Sequence, residues 1–366
     1  MVLKELRARS FRNIKEESVR FSPGVNLLFG NNAEGKTNLL EAVYYFARGK
    51  SFRGASDREL CSFGSDFFEI EAQFCAEGRE QKLSYLYSQK EKIKKRNGAP
   101  VDRAQDMIGH LRAVLFHPEH LLLVKGSPQL RRDFLNIAIS QIDPSYIRFY
   151  TEYKKLLEER NSLLKFQQRG MYTPREEMEV YSLRLAASAA RIHRLRSEYI
   201  SLLAPTAETM MKDISGGREL LFISYLTEVK GEDEEDIRRQ YEALFLSDIS
   251  REVSAGYTLF GPHHDDIEIH LSGHAAREYA SQGQQRSITL AMKVAEGEVC
   301  RRLAGEYPIF LFDDVLSELD EVRRRFLLSS LGERQILITA CDGRDFDLSG
   351  ANLIRTEGGR YEAVSE

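Results

Sequence analysis

The chain has 366 residues, 30% of them charged and 10% aromatic, with a formal net charge of −4. That composition excludes a wholly disordered chain and an overall basic footprint, so any contact with nucleic acid must use local patches. Cys61, Cys75, Cys300 and Cys341 form no C-x-x-C pair and fit no zinc spacing. The N-terminus lacks an apolar signal core, and no apolar run approaches the roughly 18–20 residues of a membrane span. A soluble protein of a reducing, cytoplasmic compartment is expected.

Residues 1–30 alternate in polarity and predict two short strands joined at Arg12-Asn13-Ile14. Val25–Phe29 follows as a buried strand. Next comes Gly30-Asn31-Asn32-Ala33-Glu34-Gly35-Lys36-Thr37, two glycines four residues apart followed by Lys and Thr, and then a helix from Asn38 to Ala47. Strand, loop and helix in this order form a phosphate-binding loop. Its backbone amides and the positive end of the helix dipole converge on phosphates. Lys36 reaches the β- and γ-phosphates, and the Thr37 hydroxyl binds Mg²⁺. A nucleoside triphosphate is the expected ligand.

A glycine-bounded basic turn spans Arg48 to Gly54, in which Arg53 is either solvated or faces phosphate or nucleic acid. Residues 67–101 predict an antiparallel meander, with strands at Phe67–Phe74 and Lys82–Tyr87 and a hairpin turn at Asn97-Gly98. Between them Lys90, Lys92, Lys94, Lys95 and Arg96 stand against Glu91. This is either a charged hairpin tip or a contact to a phosphate backbone.

From His117 to Pro205 the pattern is helical. Helices are expected at Gln129–Ser140, with the basic pair Arg131-Arg132, at Pro144–Gln168, and at Arg175–Leu203. The last two make a short antiparallel hairpin of ~37–44 Å per arm at about 1.5 Å per residue. Strands resume at Arg218–Leu226, Tyr257–Phe260 and Asp266–Leu271, with a charged helix over roughly 234–252. The segment His263-His264-Asp265-Asp266 could suggest a metal centre. Adjacent strand residues point to opposite faces, however, so a role stabilising the loops near the Ser281 turn is the better reading.

Ser281-Gln282-Gly283-Gln284-Gln285-Arg286 opens a helix over Ile288–Cys300, a second candidate anion site. Residues 307–316 form the most apolar strand and carry Asp313 and Asp314. Ligands sit at the carboxyl ends of such strands. Asp313 is placed to hold Mg²⁺, and Asp314 to orient the water that attacks the γ-phosphate. Strands at Gln335–Thr339 and Ala351–Arg355 close the chain.

The order phosphate loop, Ser-x-Gly-Gln turn, apolar strand ending in Asp-Asp resembles the ATP-binding-cassette (ABC-type) ATPase heads, and among them the SMC-like branch. Further segments are Phe11-Arg12-Asn13, Lys50 to Arg53, Phe116-x-Pro118-Glu119, Lys125-Gly126 with Arg131-Arg132-x-Phe134, and Gly261-Pro262-His263-x-Asp265-Asp266. Together they resemble the RecF family of bacterial recombination mediators from end to end.

The resemblance implies an α/β fold: an ABC-type, SMC-like P-loop ATPase head with a mixed sheet and an inserted helical domain carrying a short helical hairpin. The head would occupy residues 1–116 and 206–366, and the insertion 117–205. ATP and Mg²⁺ are the implied cofactors. Nucleotide contacts fall on Arg12, on Gly30 to Asn38, and, from a second copy, on Ser281, Gly283, Gln284 and Asp320. Lys36 and Asp314 are the implied catalytic residues, and Thr37 and Asp313 the metal ligands. Also implied are an ATP-dependent homodimer, weak DNA-stimulated hydrolysis, binding of duplex DNA near single-strand/double-strand junctions, and partnership with RecR and a RecA-loading pathway. DNA contacts would come from Arg53, Lys92, Lys94, Lys95, Arg96, Arg131 and Arg132.

Three features depart from the general cassette pattern. Asp314 stands where a catalytic Glu is usual, Thr339-Ala340 replaces a His, and the Mg²⁺-contacting Gln has no counterpart except a candidate at Glu119. Alternatives are an ABC-type ATPase of a defence or toxin system and a P-loop small-molecule kinase.

Overall fold

The computed structural model describes residues 1–247, 249–332, 334–342 and 350–364. The chain begins with β1 (Val2–Phe11), β2 (Ile14–Arg20) and β3 (Val25–Phe29), followed by α1 (Lys36–Arg48) and α2 (Asp57–Leu60). A meander of β4 (Phe67–Ala76), β5 (Arg79–Ser88), β6 (Lys92–Arg96) and β7 (Ala99–Pro100) leads to β8 (Ala113–Phe116). The basic run that reads as a hairpin tip is thus largely strand. Asn97 (φ 50°) and Gly98 (φ 83°) make the turn after it, and both positive φ values suit a tight hairpin.

The middle of the chain comprises α3 (Leu122–Lys125), α4 (Pro128–Ile142), α5 (Ser145–Gln168), α6 (Arg175–Ser215), β9 (Leu221–Leu226), α7 (Glu234–Ser247), α8 (Ile249–Ala255), β10 (Asp266–Leu271), β11 (His274–Ala275) and α9 (Ala276–Tyr279). Three readings change here. Helix α6 runs on through Pro205 because its buried stripe continues on both sides, with Tyr199, Leu203, Ala207, Met211 and Ile214 at three- and four-residue steps. The expected helix over 234–252 is two helices, and Asp248 between them lies outside the described residues. Tyr257–Phe260 is not a strand. Thr258 is instead held by side chains, with Asn161 accepting from its amide and hydroxyl at 2.8 Å and Arg160 donating to its oxygen at 2.8 Å.

The last part carries α10 (Gln282–Ala304), β12 (Ile309–Phe312), α11 (Glu321–Leu331), β13 (Ile336–Ala340), β14 (Asn352–Glu357) and β15 (Arg360–Val364). The apolar strand is shorter than 307–316 because the chain turns sharply at Asp314, whose φ is 52°. Strand β15, absent from the sequence reading, follows a Gly358-Gly359 turn with φ of 56° and 79°.

The chain divides into two compact units. The first, residues 1–121, 206–220 and 280–366, holds two six-stranded sheets. One is antiparallel in the order β2-β1-β4-β5-β6-β7. The other is mixed, β15-β14-β3-β13-β12-β8, with only β15 antiparallel. Helix α1 packs on β1 and β4 of one sheet and on β8 and β13 of the other. This explains why it is buried almost all round, from Leu39 to Ala47. A Cβ on Gly297 of α10 would lie 2.2 Å from the Phe310 ring, so glycine lets that helix sit close on the parallel strands.

The second unit, residues 122–205 and 221–279, joins α4, α5 and most of α6 to the three-stranded antiparallel sheet β11-β10-β9. The sequence division placed Leu221–Tyr279 with the head. In the structure it belongs with the helices, because β10 packs on α4 and α8 on α5. Among the described residues no helix is long and apolar enough to cross a membrane.

Candidate nucleotide site

Strand β3 delivers the chain into the phosphate loop, where the two motif glycines are required by their surroundings. Gly30 has φ +151°, and a Cβ there would lie 2.2 Å from the Thr356 carbonyl oxygen. Gly35 has φ +117°, and its Cβ would lie 2.7 Å from Asn13 Oδ1. Ala33 also takes a positive φ of 70°. Lys36 opens α1 and donates to the carbonyls of Gly30 and Asn31, the latter at 2.8 Å. The β14–β15 hairpin backs the loop: Gly359 N–H donates to Glu34 O at 2.8 Å, Gly358 N–H to the Glu34 carboxylate, and Tyr361 Oη to Gly35 O at 2.7 Å.

A cavity of about 340 Å³ lies in front of the loop. Of the residues expected there, Asn32, Ala33, Gly35, Lys36, Thr37, Asn38 and Asp314 line it, joined by Arg53 and Thr339. Parallel pairing of β12 with β13 brings the ends of both strands to the loop. Thr37 Oγ1 then donates to Asp313 Oδ1 at 2.8 Å, and Thr339 Oγ1 reaches the same oxygen at 3.0 Å. Asp314 N–H donates to Thr339 Oγ1 at 2.8 Å, and Ser317 Oγ donates to the Asp314 carboxylate at 3.2 Å. Burial raises the Asp313 carboxyl above the usual range, against the two hydroxyl bonds that lower it.

This donor set suits Mg²⁺. A hydroxyl and one carboxylate offer hard oxygens side by side, and Mg²⁺ is ordinarily held by one or two carboxylates together with water and substrate phosphates. A cation would also compensate the buried charge of Asp313. Among the described residues no group of three or more His, Cys, Asp and Glu could hold a metal by itself.

Two contributors escaped the sequence reading. Thr339 stands where the cassette pattern has a His, yet it ties the two aspartates together. Asn13 stood only as part of a motif. It donates to Glu34 O at 3.0 Å and accepts from Asn38 Nδ2 at 2.8 Å, while Asn38 Oδ1 accepts from Arg53 at 3.2 Å. Arg53 thereby belongs to the wall of the cavity. Arg12, expected at the nucleotide, has its guanidinium on Glu41, at 2.8 and 2.9 Å, and on Glu59 O at 3.2 Å. Glu119 is exposed and does not line the cavity.

Ser281 caps α10 in a reciprocal capping box with Gln284, whose amide also donates to Glu219 at 2.7 Å. Ser281 is exposed. Asp320 caps α11 and pairs with Arg323, which donates to Ser287 Oγ at 2.8 Å and lies 3.3 Å from a Cβ placed on Gly283. None of Ser281, Gly283, Gln284 and Asp320 lines the phosphate-loop cavity of its own chain.

A family model for the RecF/RecN/SMC N-terminal domain matches residues 2–356. Proteins described as DNA replication and repair protein RecF are 37% identical: that of Geobacillus kaustophilus over 100% of both chains, and that of Staphylococcus aureus over 98% of this chain and 99% of its own. The chain belongs to the RecF family. A solved structure of the recombination mediator protein RecF-ATP in the RecFOR pathway is 33% identical and superposes with a TM-score of 0.92, covering 100% of this chain and 98% of that one. The Pyrococcus furiosus Smc head, 17% identical at a TM-score of 0.58 with 100% and 96% coverage, shares the fold.

In this RecF-family chain several of the basic residues are held by partners of their own. Arg131 is 3% exposed and is not available to DNA. It makes a two-pronged ion pair with Asp266 at 2.7 and 2.8 Å and donates to Leu123 O and Gly126 O. Arg132 donates to Asp265 O and to Gln129. Lys92 pairs with Asp57 at 2.5 Å, and Lys94 reaches Asp102 O at 3.5 Å. Strand alternation sends Lys92, Lys94 and Arg96 to one face of β6 and Lys95 to the other.

The His263–Asp266 segment is bonded within the helical unit. His263 meets Tyr153 Oη at 2.5 Å, both histidines meet Thr258 O, and Tyr225 Oη donates to Asp265 at 2.5 Å. Burial holds His263 neutral, its pKa pushed down to about 3, and pushes Asp265 up to about 6.

Proposed function

We propose that the chain is an ATP-dependent DNA-binding protein of recombinational repair in the bacterial cytoplasm, using ATP as an assembly switch. The observation that carries this reading is a division. The phosphate loop, Thr37, Asp313 and Asp314 form one half of a nucleotide site, while the capped Ser281 turn is exposed and outside that cavity. Two chains arranged head to head complete the site, Ser281, Gly283 and Gln284 of one closing on the γ-phosphate held by Lys36 of the other, with Asp320 beside the seam. ATP then drives dimerisation by its greater affinity for the closed pair.

Thr37 and Asp313 would hold Mg²⁺, which would supply positive charge beside the bound phosphates. Arg53 adds a second cation beside Lys36, a role its place in the cavity favours over a DNA contact. Asp314 orients water from a shorter side chain than Glu, so hydrolysis is slow and serves to reset the switch. The dimer binds duplex DNA near single-strand/double-strand junctions, mainly through phosphates, with the exposed Lys95 of β6 among the contacts. RecR and a RecA-loading pathway are the partners this family membership suggests.

Molecular mass in solution with and without ATP and Mg²⁺ tests the reading. ATP-dependent dimers are expected for the natural chain and lost in both Lys36→Arg and Ser281→Arg. A nucleotide-hydrolysing monomer indifferent to Ser281→Arg would instead support a P-loop kinase. DNA binding across a salt series, with blunt and junction duplexes, tests the cargo.

A further inference from the structure

A second basic cavity lies in the first unit, away from the phosphate loop. It has a volume of about 100 Å³ and is lined by Arg79, Arg96, Arg112, His110, Gln81 and Glu77. Strand pairing places these groups: Arg79 follows the β4–β5 turn, Arg96 ends β6 opposite Leu83, and Gly109, with φ +89°, turns the chain before His110.

Three guanidiniums here face one lining carboxylate. Arg112 is oriented from behind by Glu306 at 3.1 Å and stands 3.7 Å from Glu77. Arg96 has no side-chain partner among the described residues. The Nε–H groups of Arg96 and Arg112 are both sealed from water without an acceptor. Buried donors of charged groups are costly to leave unmade, and guanidiniums match oxyanions in geometry. His110 is held below its ordinary pKa chiefly by burial, with the Arg96 and Arg112 charges acting in the same direction.

We propose that this cavity binds a single phosphate group, with Arg96 as its anchor and Arg112, Arg79 and His110 around it. The volume of about 100 Å³ admits one tetrahedral oxyanion. The phosphate belongs either to a small molecule or to a nucleic-acid backbone, and the two sources are separable by experiment.

Inorganic phosphate is titrated into the full chain in chloride buffer while the His110 ring proton resonance, assigned with His110→Gln, is followed. A saturable shift is expected, weakened at least about tenfold in Arg96→Gln. Arg96→Lys, which keeps the charge but loses the fork, should fall between. In parallel, duplex DNA affinity is measured against salt. If the phosphate is a nucleic-acid one, Arg96→Gln lowers the log–log slope by about 1. An unchanged slope with weakened phosphate binding identifies a small phosphate ligand. A His110 resonance indifferent to phosphate in the natural chain, together with an unchanged slope in Arg96→Gln, overturns the proposal. The phosphate-loop reading is untouched by that result, because the readout is local to His110.

Discussion

Asn38 presents its side-chain oxygen to Arg53, at 3.2 Å, because Asn13 occupies its amide at 2.8 Å. The orientation is forced. Glu34 O can only accept, so Asn13 must turn its Nδ2 there and its oxygen toward Asn38. The relay thus aims a cation at the phosphate-loop cavity from the β1–β2 turn. In Asn13→Ala, ATP affinity is expected to fall about five- to tenfold, the equivalent of roughly 1 kcal/mol for one net hydrogen bond. Arg53→Ala should show a similar loss, and the double variant little more than either single one. Fluorescent-nucleotide titration checks this, and additive losses would remove the relay.

Thr339 joins Asp313 to the Asp314 amide. Thr339→Val removes the hydroxyl at nearly constant volume and frees both aspartates. ATP turnover is expected to drop by about an order of magnitude with a raised Mg²⁺ requirement, while Thr339→Ser stays close to the natural chain. Equal activity in Val and Ser variants would show that the hydroxyl does nothing there.

The buried Arg131 makes a two-pronged pair with the half-buried Asp266. Removing the guanidinium strips Asp266 of its charge-assisted bonds, so Arg131→Ala should lose about 1.5–3 kcal/mol of stability in denaturant unfolding. Any loss of DNA binding should follow the fraction unfolded and vanish at low temperature. A fully stable variant defective in DNA binding would restore Arg131 as a phosphate contact.

Asp265 sets a pH dependence. Its carboxyl titrates near 3.8 unfolded and near 6 folded, so the fold binds its proton more tightly. The stability it contributes is complete below about pH 4 and is lost as pH rises through about 6. Asp265→Asn should therefore gain on the natural chain across that window, by at most about 3 kcal/mol. Melting curves taken between the two limits measure it. A constant difference would mean the group titrates normally.

The parts of the site that are contiguous in the chain could be read without the structure. Gly30 to Thr37 is a local device: a strand, two permissive glycines, a lysine and a helix start carry their chemistry within eight residues. Asp313 was legible because four apolar residues before it mark a buried strand whose end must face a ligand edge. Arg131 read as a surface cation because Asp266 is 135 positions away, and Pro205 read as a helix end because local propensity argues that way.

Sequence alone determined the phosphate loop, the acidic strand and the α/β character of the chain, since each follows from short-range periodicity and backbone permission. Only tertiary structure decided that Thr339 ties the aspartates together, that Asn13 aims Arg53, that the basic strand splits across two faces, and that residues 221–279 pack with the helices. Those outcomes depend on which distant strands pair and which burial wins, and a side chain's meaning changes once water is excluded from around it.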